Sequence, residues 1–260
     1  MAVLLDVKDL TKNFGGLAAV SDVNMHLDDN ELVALIGPNG AGKTTLFNLI
    51  TGQTVPSAGS ISLRTNNEGM QVLNGKKPYK IADMGLARTF QNIRLFKGLS
   101  VLDNVLISMT SKNKEGFISS LFRLPSFYKV EDRLRKEALD LLAIFHMEDM
   151  AETIASNMPY GAQRRLEIIR ALATKPKILF LDEPAAGMNP EETAALTATI
   201  RQIQQEFGIT VLLIEHDMSL VMNVAERIYV LQYGKLLAEG TPQEIQANQA
   251  VVDAYLGGGV

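Results

Sequence analysis

Gly37 to Thr45, GPNGAGKTT, sit between the apolar run ELVALI and the stretch TLFNLI, and they satisfy the pattern G-x-x-x-x-G-K-[ST]. Glycines at 37, 40 and 42 allow the backbone to curl until successive N–H groups face one anion, and the positive end of a following helix adds to that field. Lys43 would reach the outer phosphates of a nucleoside triphosphate, and the Thr44 hydroxyl would ligate Mg2+. That metal also calls for a carboxylate at the end of a neighbouring strand. The run KILFLDE provides it: Asp182 would hold Mg2+ through water, while Glu183 beside it is suited to orient and deprotonate an attacking water. Without the Gly-Lys-Thr loop the same acids would read as an acidic turn after a strand.

The chemistry narrows further. A GTPase would normally carry N-K-x-D to read its base, and the nearest match, Asn113-Lys114-Glu115-Gly116, lacks the Asp. Transfer to a small-molecule acceptor stays open, although adjacent Asp and Glu suit hydrolysis by water better. The chain has no Cys and only three His, which excludes disulfides and thiolate catalysis and leaves little for a His-rich metal centre. A net charge of −4 argues against wholesale binding of nucleic acid. The start MAVLLDVKDL has acidic residues where an export signal would be basic, so export is not expected. Apolar runs such as LVALI and VLLI fall far short of the ~20 residues a membrane-spanning helix needs.

These residues need elements to position them. At 260 residues and 47% hydrophobic, the chain is long enough for one large domain with a lobe. LLDVKDL, VNMHL, ELVALIG and GSISLR read as strands, a helix is predicted from about Lys43 to Ile50, and TNNEG reads as a loop. Ser100 and Asp103 form a capping pattern for a helix running to Met109, and residues 111 to about 128 read as an irregular insertion. Helices then dominate through Leu172. KILFLDEP and ITVLLIEHD are strand-like, separated by a helix starting at Asn189 and Pro190, and TPQEI starts another, with Thr241 as cap and Glu244 closing a capping box. Alternating strand and helix implies an α/β body with a parallel sheet, built from both ends of the chain, around a helical lobe inserted at approximately 92–165.

With these motifs in this order, nearly the whole chain resembles the ATP-binding-cassette (ABC) ATPases. The resemblance implies a single ABC ATPase domain over 1–260: a P-loop NTPase body, with a parallel core sheet plus N-terminal antiparallel strands, carrying the inserted helical lobe. It implies that Gly37, Pro38, Asn39, Gly40, Ala41, Gly42, Lys43, Thr44 and Thr45 wrap the phosphates of ATP, with Phe14 stacking on adenine. Gln91, in RTFQNIRLF, would contact both Mg2+ and the attacking water, and His216, in LLIEHDM, the γ-phosphate. AAGMN, Ala185 to Asn189, stands where the family has the loop crossing a dimer interface.

The stretch MPYGAQRRLEIIRAL poses a question of charge, because Arg164 and Arg165 fall near a helix N-terminus, where cations are mildly unfavourable. Glu167 is a local partner. In the family this place holds a Leu-Ser-Gly-Gly-Gln type signature that, in a head-to-tail dimer, donates hydrogen bonds to the partner's γ-phosphate. Here Met158, Pro159, Tyr160, Gly161 and Ala162 stand in its place, and only Gly161 is identical. Pro159 offers neither hydroxyl nor N–H, so binding would rest on Tyr160, the Gly161 amide and the helix dipole.

The runs GGLAAVSDVN, ARTFQNIRLF, LDEPAAGMNPEET, LLIEHDMSLVM and AYLG look most like ATPase subunits of branched-chain amino acid importers. That likeness implies transmembrane permease partners, a second ATPase subunit (self or paralogue), indirectly a substrate-binding protein, no nucleic acid, and a peripheral place on the cytoplasmic face of the cell membrane. Phe90, Ile93, Leu95 and Phe96 would line the groove toward the membrane subunits or be buried between lobe and body. The alternative is a soluble ABC ATPase acting on DNA or ribosomes. Such proteins usually carry two cassettes, a long coiled coil or a basic arm, and this sequence contains none of these.

Overall fold

The computed structural model describes residues 2–65, 69–110 and 125–256. The chain divides into two compact units, one from Met1–Arg88 with Lys177–Val260 and the other from Thr89–Pro176.

In the first unit, strands β1 (Val3–Phe14), β2 (Leu17–Asp28), β4 (Ala58–Thr65) and β5 (Gly69–Val72) form an antiparallel sheet in the order β2-β1-β4-β5. A six-stranded sheet runs β10-β9-β3-β8-β7-β6, built from β3 (Leu32–Ile36), β6 (Leu86–Arg88), β7 (Ile178–Asp182), β8 (Thr210–Ile214), β9 (Arg227–Gln232) and β10 (Lys235–Gly240). Its strands are parallel except at the β9–β10 hairpin. The continuous apolar runs have a structural cause: β3 buries Val33 and Leu35 in one core cluster and Ala34 and Ile36 in the other. A strand covered on both faces has no polar side to alternate with.

Helix α1 (Lys43–Ile50) follows β3 and buries Leu46, Phe47, Leu49 and Ile50, with Phe47 against Phe180 of β7 at 4.8 Å between ring centroids. Helix α2 (Pro78–Asp83) and β6 are six and three residues long, too short for apolar periodicity to reveal them. The β9–β10 hairpin also escapes sequence reading. Its turn residues, Tyr233 and Gly234, both take positive φ, 49° and 76°, as a two-residue hairpin turn requires, but a Tyr stands where Asn or Gly would advertise it.

The second unit is helical: α3 (Val101–Thr110), α4 (Pro125–Ile144) and α5 (Tyr160–Ala173), with two short 3-10 turns at Glu148–Met150 and Ala155–Asn157. Leu134, Ala138, Leu141 and Leu142 make the buried stripe of α4 at helical spacing. The irregular insertion expected to about residue 128 ends sooner, because α4 begins at Pro125, where a proline's fixed φ suits a first helical turn. Its part at 111–124 lies outside the described residues, as does most of the TNNEG loop. Ser100 caps α3 as its sequence predicts, its Oγ accepting from Asp103 N–H at 3.0 Å.

After β7 come α6 (Pro190–Phe207), α7 (Met218–Val224), α8 (Pro242–Ala247) and α9 (Gln249–Leu256). Asn189 and Glu192 form a full capping box on α6, and Thr241 and Glu244 form one on α8. Among the described residues no helix is long and apolar enough to cross a membrane.

Candidate functional site

Leu35 of β3 and Asp182 of β7 both pair with Ile214 of β8, so the Gly-rich loop and the acid pair leave the sheet at one edge. That edge, at the carboxyl ends of parallel strands, is where open α/β sheets bind ligands. The loop is shaped by its glycines. A β-carbon on Gly37 would fall 2.1 Å from the Leu231 carbonyl oxygen and one on Gly42 2.5 Å from that of Ala19. Gly40 lies in open space and needs glycine only for its φ of 77°. The hairpin turn at Tyr233–Gly234 buttresses the loop from behind: Gly234 N–H donates to Ala41 O at 2.9 Å, and Ser21 N–H donates to Gly234 O at 2.8 Å.

A cavity of about 530 Å³ lies at this edge, lined by Asn39 to Thr45, Glu183, His216, Leu17–Ala19, Tyr233 and Gly234. The Lys43 ammonium is buried and donates to Gly37 O at 2.6 Å and Pro38 O at 3.1 Å. Burial lowers its pKa, and the charge of Glu183 works against that drop. Helix α1 starts at Gly42 with no side-chain cap and no acid in its first turn. Its first amides are thus left to an anionic ligand.

Glu183 holds φ 48°, and its N–H donates to Ile214 O at 2.9 Å, which turns its side chain out of the strand and into the cavity. His216 Nε2 lies 2.9 Å from Glu183 Oε1. The residue that positions both went unnoticed in the sequence. The buried Glu215 accepts from Ala185 N–H at 2.7 Å with Oε1 and from His216 N–H at 2.9 Å with Oε2, tying the loop after Glu183 to the His216 turn. Burial raises the Glu215 pKa, backbone N–H donors pull it down, and nearby Glu183 adds to the rise. Only the order E-H-D at a strand end hinted at it.

Asp182 is buried and is not among the residues lining the cavity; its Oδ2 accepts from Arg88 Nη2 at 2.7 Å. Phe14 does not line the cavity; its ring is 51% exposed, with the Lys12 ammonium 5.0 Å from the centroid.

Gln91, Tyr160 and Gly161 belong to the second unit. There Arg164 answers the charge question locally. It pairs with Glu167 at 3.2 Å and also donates to Phe90 O at 2.7 Å and to Gln91 O. Glu167 in turn accepts from the N–H groups of Phe90 and Arg94, so the Gln91 segment is clamped to α5. Burial raises the Glu167 pKa against those donors. The Nε of Arg165 is buried without a hydrogen-bond partner.

A glycine loop between a buried parallel strand and a helix, with an acid pair ending the strand two places along the sheet, defines a P-loop nucleoside triphosphatase. The match to known families refines that class: the ABC transporter family profile covers residues 20–186, and that of the branched-chain amino acid ATP-binding cassette transporters covers 235–260. The chain belongs to the ABC transporter family and is one of its ATP-hydrolysing cassettes. It is 47% identical to the high-affinity branched-chain amino acid transport ATP-binding protein LivG of Escherichia coli strain K12 over 98% of each chain. Identity to the corresponding protein BraF of Pseudomonas aeruginosa is 45% with the same coverage. Among solved structures, the ADP conformation of an ATP-binding cassette of an ABC transporter matches with a TM-score of 0.84 at 30% identity, over 99% of this chain and 100% of that one.

Proposed function

We propose that this chain is the ATP-hydrolysing subunit of an importer for branched-chain or related amino acids, working in a head-to-tail pair with itself or a paralogue. The observation that carries the chemistry is the Glu183–His216 pair, 2.9 Å apart, lining the same cavity as the loop from Asn39 to Thr45. The names of the similar LivG and BraF proteins support the cargo class.

Loop amides and the first turn of α1 bind the phosphates, and Lys43 exchanges its carbonyl acceptors on Gly37 and Pro38 for phosphate oxygens. Phe14 offers an exposed ring to adenine. Glu183 takes a proton from the attacking water while His216 orients the carboxylate and meets the γ-phosphate. Thr44, Asp182 and Gln91 would hold Mg2+, which when bound draws negative charge from the phosphoryl oxygens. Thr44 and Asp182, both of the first unit, offer the hard oxygen donors that Mg2+ prefers. Mg2+ keeps waters and phosphate oxygens and needs only one or two protein ligands.

In the pair, Tyr160 and Gly161 at the start of α5 face the nucleotide of the opposite subunit, and ATP shifts the equilibrium to the closed pair because it binds that state more tightly. Motion passes to transmembrane permease subunits through the segment around Gln91, with Phe90, Ile93, Leu95 and Phe96 at the groove. The subunit sits peripherally at the cytoplasmic face, works indirectly with a substrate-binding protein, and binds no nucleic acid.

Glu183→Gln is expected to retain ATP binding and abolish turnover; sustained turnover would remove Glu183 from the base role. Purified from native membranes, the chain is expected to bring permease subunits with it, and the assembly to take up labelled leucine in vesicles. Copurification with ribosomes or DNA instead would turn the reading to the soluble alternative.

A further inference from the structure

Arg88 reaches the buried Asp182 carboxylate from the neighbouring strand. Arg88 ends β6 in register with Phe180, beside the end of β7. Its guanidinium divides its donors: Nη2 to Asp182 Oδ2 at 2.7 Å, and Nη1 to Asn48 Oδ1 at 2.7 Å and Thr51 Oγ1 at 3.1 Å. The same plane lies 5.6 Å from the Phe47 ring. Both charged side chains are nearly out of solvent, 9% exposed for Arg88 and 7% for Asp182.

Asn48 and Thr51 belong to the last turn and C-cap of α1, the helix whose first turn carries Lys43 and Thr44. A helix is stiff over eight residues, so what fixes its last turn also fixes its first. Arg88 therefore joins the two oxygen donors, Asp182 directly and Thr44 through α1, into one frame. The planar fork suits this task, since it can satisfy separate acceptors at set angles where a lysine supplies one mobile point charge.

We propose that Arg88 is a positioning residue for Mg2+, holding the Asp182 carboxylate at a fixed orientation and distance from Thr44. This rests on the reading above that Asp182 and Thr44 hold the metal. Partners that orient metal ligands typically change metal affinity by about 10- to 100-fold when replaced.

The test measures ATP affinity of the full chain in EDTA, and Mn2+ affinity of the protein–ATP complex by electron paramagnetic resonance, for wild type, Arg88→Lys, Arg88→Met and Asp182→Asn. Thermal melts check folding, and Arg88→Lys carries the test if Arg88→Met does not fold. Both Arg88 variants are expected to bind ATP in EDTA within about twofold of wild type while Mn2+ affinity falls about tenfold or more, least for lysine. In the double variant Arg88→Lys/Asp182→Asn the two losses should overlap rather than add. Unchanged or tighter Mn2+ binding in Arg88→Lys overturns the proposal, and so does an equal fall in EDTA and in metal, which a purely structural role would give. Unchanged Mn2+ affinity in Asp182→Asn would instead remove the metal reading on which it rests.

Discussion

At Gly42 the backbone holds φ +102° and an added β-carbon would meet the Ala19 carbonyl oxygen at 2.5 Å. Gly42→Ala is therefore expected to destabilise the fold by more than about 1 kcal/mol, since an L side chain is strained there and the clash is with backbone. Chemical denaturation reads the loss, and ATP affinity should fall with it. Glu215 makes a different kind of prediction. Replacing it with Gln puts an N–H donor where Ala185 or His216 N–H now donates. Loss of one charge-assisted bond is expected to lower kcat about tenfold, with ATP affinity close to wild type, because the displaced groups are Glu183 and His216 rather than the loop. The places of Lys43, Asp182 and Glu183 at the ends of β3 and β7 were legible in the sequence because the glycine pattern and the apolar runs mark where those strands stop. Glu215 and Arg88 were not, since their partners are a backbone amide 30 residues away and a carboxylate 94 residues away.

Among the elements, a full capping box was read correctly, whereas a lone proline was not enough: the helices opening at Pro78 and Pro125 were missed or begun too late. Asn189, Pro190 and Glu192 announce α6, and the capping box they form is present. Asn189→Ala is expected to cost about 1 kcal/mol in a denaturation curve, the usual loss for an N-cap. The β9–β10 hairpin has no such punctuation and is secured from a distance. Arg227 at the start of β9 grips Glu31 with two bonds of 2.7 Å and reaches Glu239 of β10 at 2.6 Å. Arg227→Met would leave the Glu31 carboxylate buried and unpaired, and a loss of about 3–5 kcal/mol is expected by urea denaturation.

For the whole molecule, the buried carboxylates set opposing pH dependences. Burial alone would raise Glu31, but hydrogen bonds from Arg227 and Asp28 N–H, with the charges of Arg227 and His26, leave it below its ordinary 4.5. Its stabilising contribution is thus complete above that value and is lost as pH falls through the depressed folded-state pKa. Glu167 and Glu215, raised by burial, run the other way, favouring the folded state while protonated and less so as pH rises past 4.5. Urea titrations should show the stability gap between wild type and Glu31→Gln full near neutrality and shrinking below pH 4.5. A gap that stays constant with pH would break this assignment.

The sequence by itself determined the α/β class, the glycine loop after β3, the acid pair at the end of β7 and the capped helices, because each depends on neighbours within a few residues or on apolar runs that water sorts inward. Only the tertiary structure decided which donors hold the Asp182 and Glu215 carboxylates, that Arg164 is satisfied within its own unit, and that a Tyr–Gly turn supports the loop. Those contacts join residues far apart in the chain, and a linear pattern carries no record of a hydrogen bond whose two ends meet only after the strands have paired.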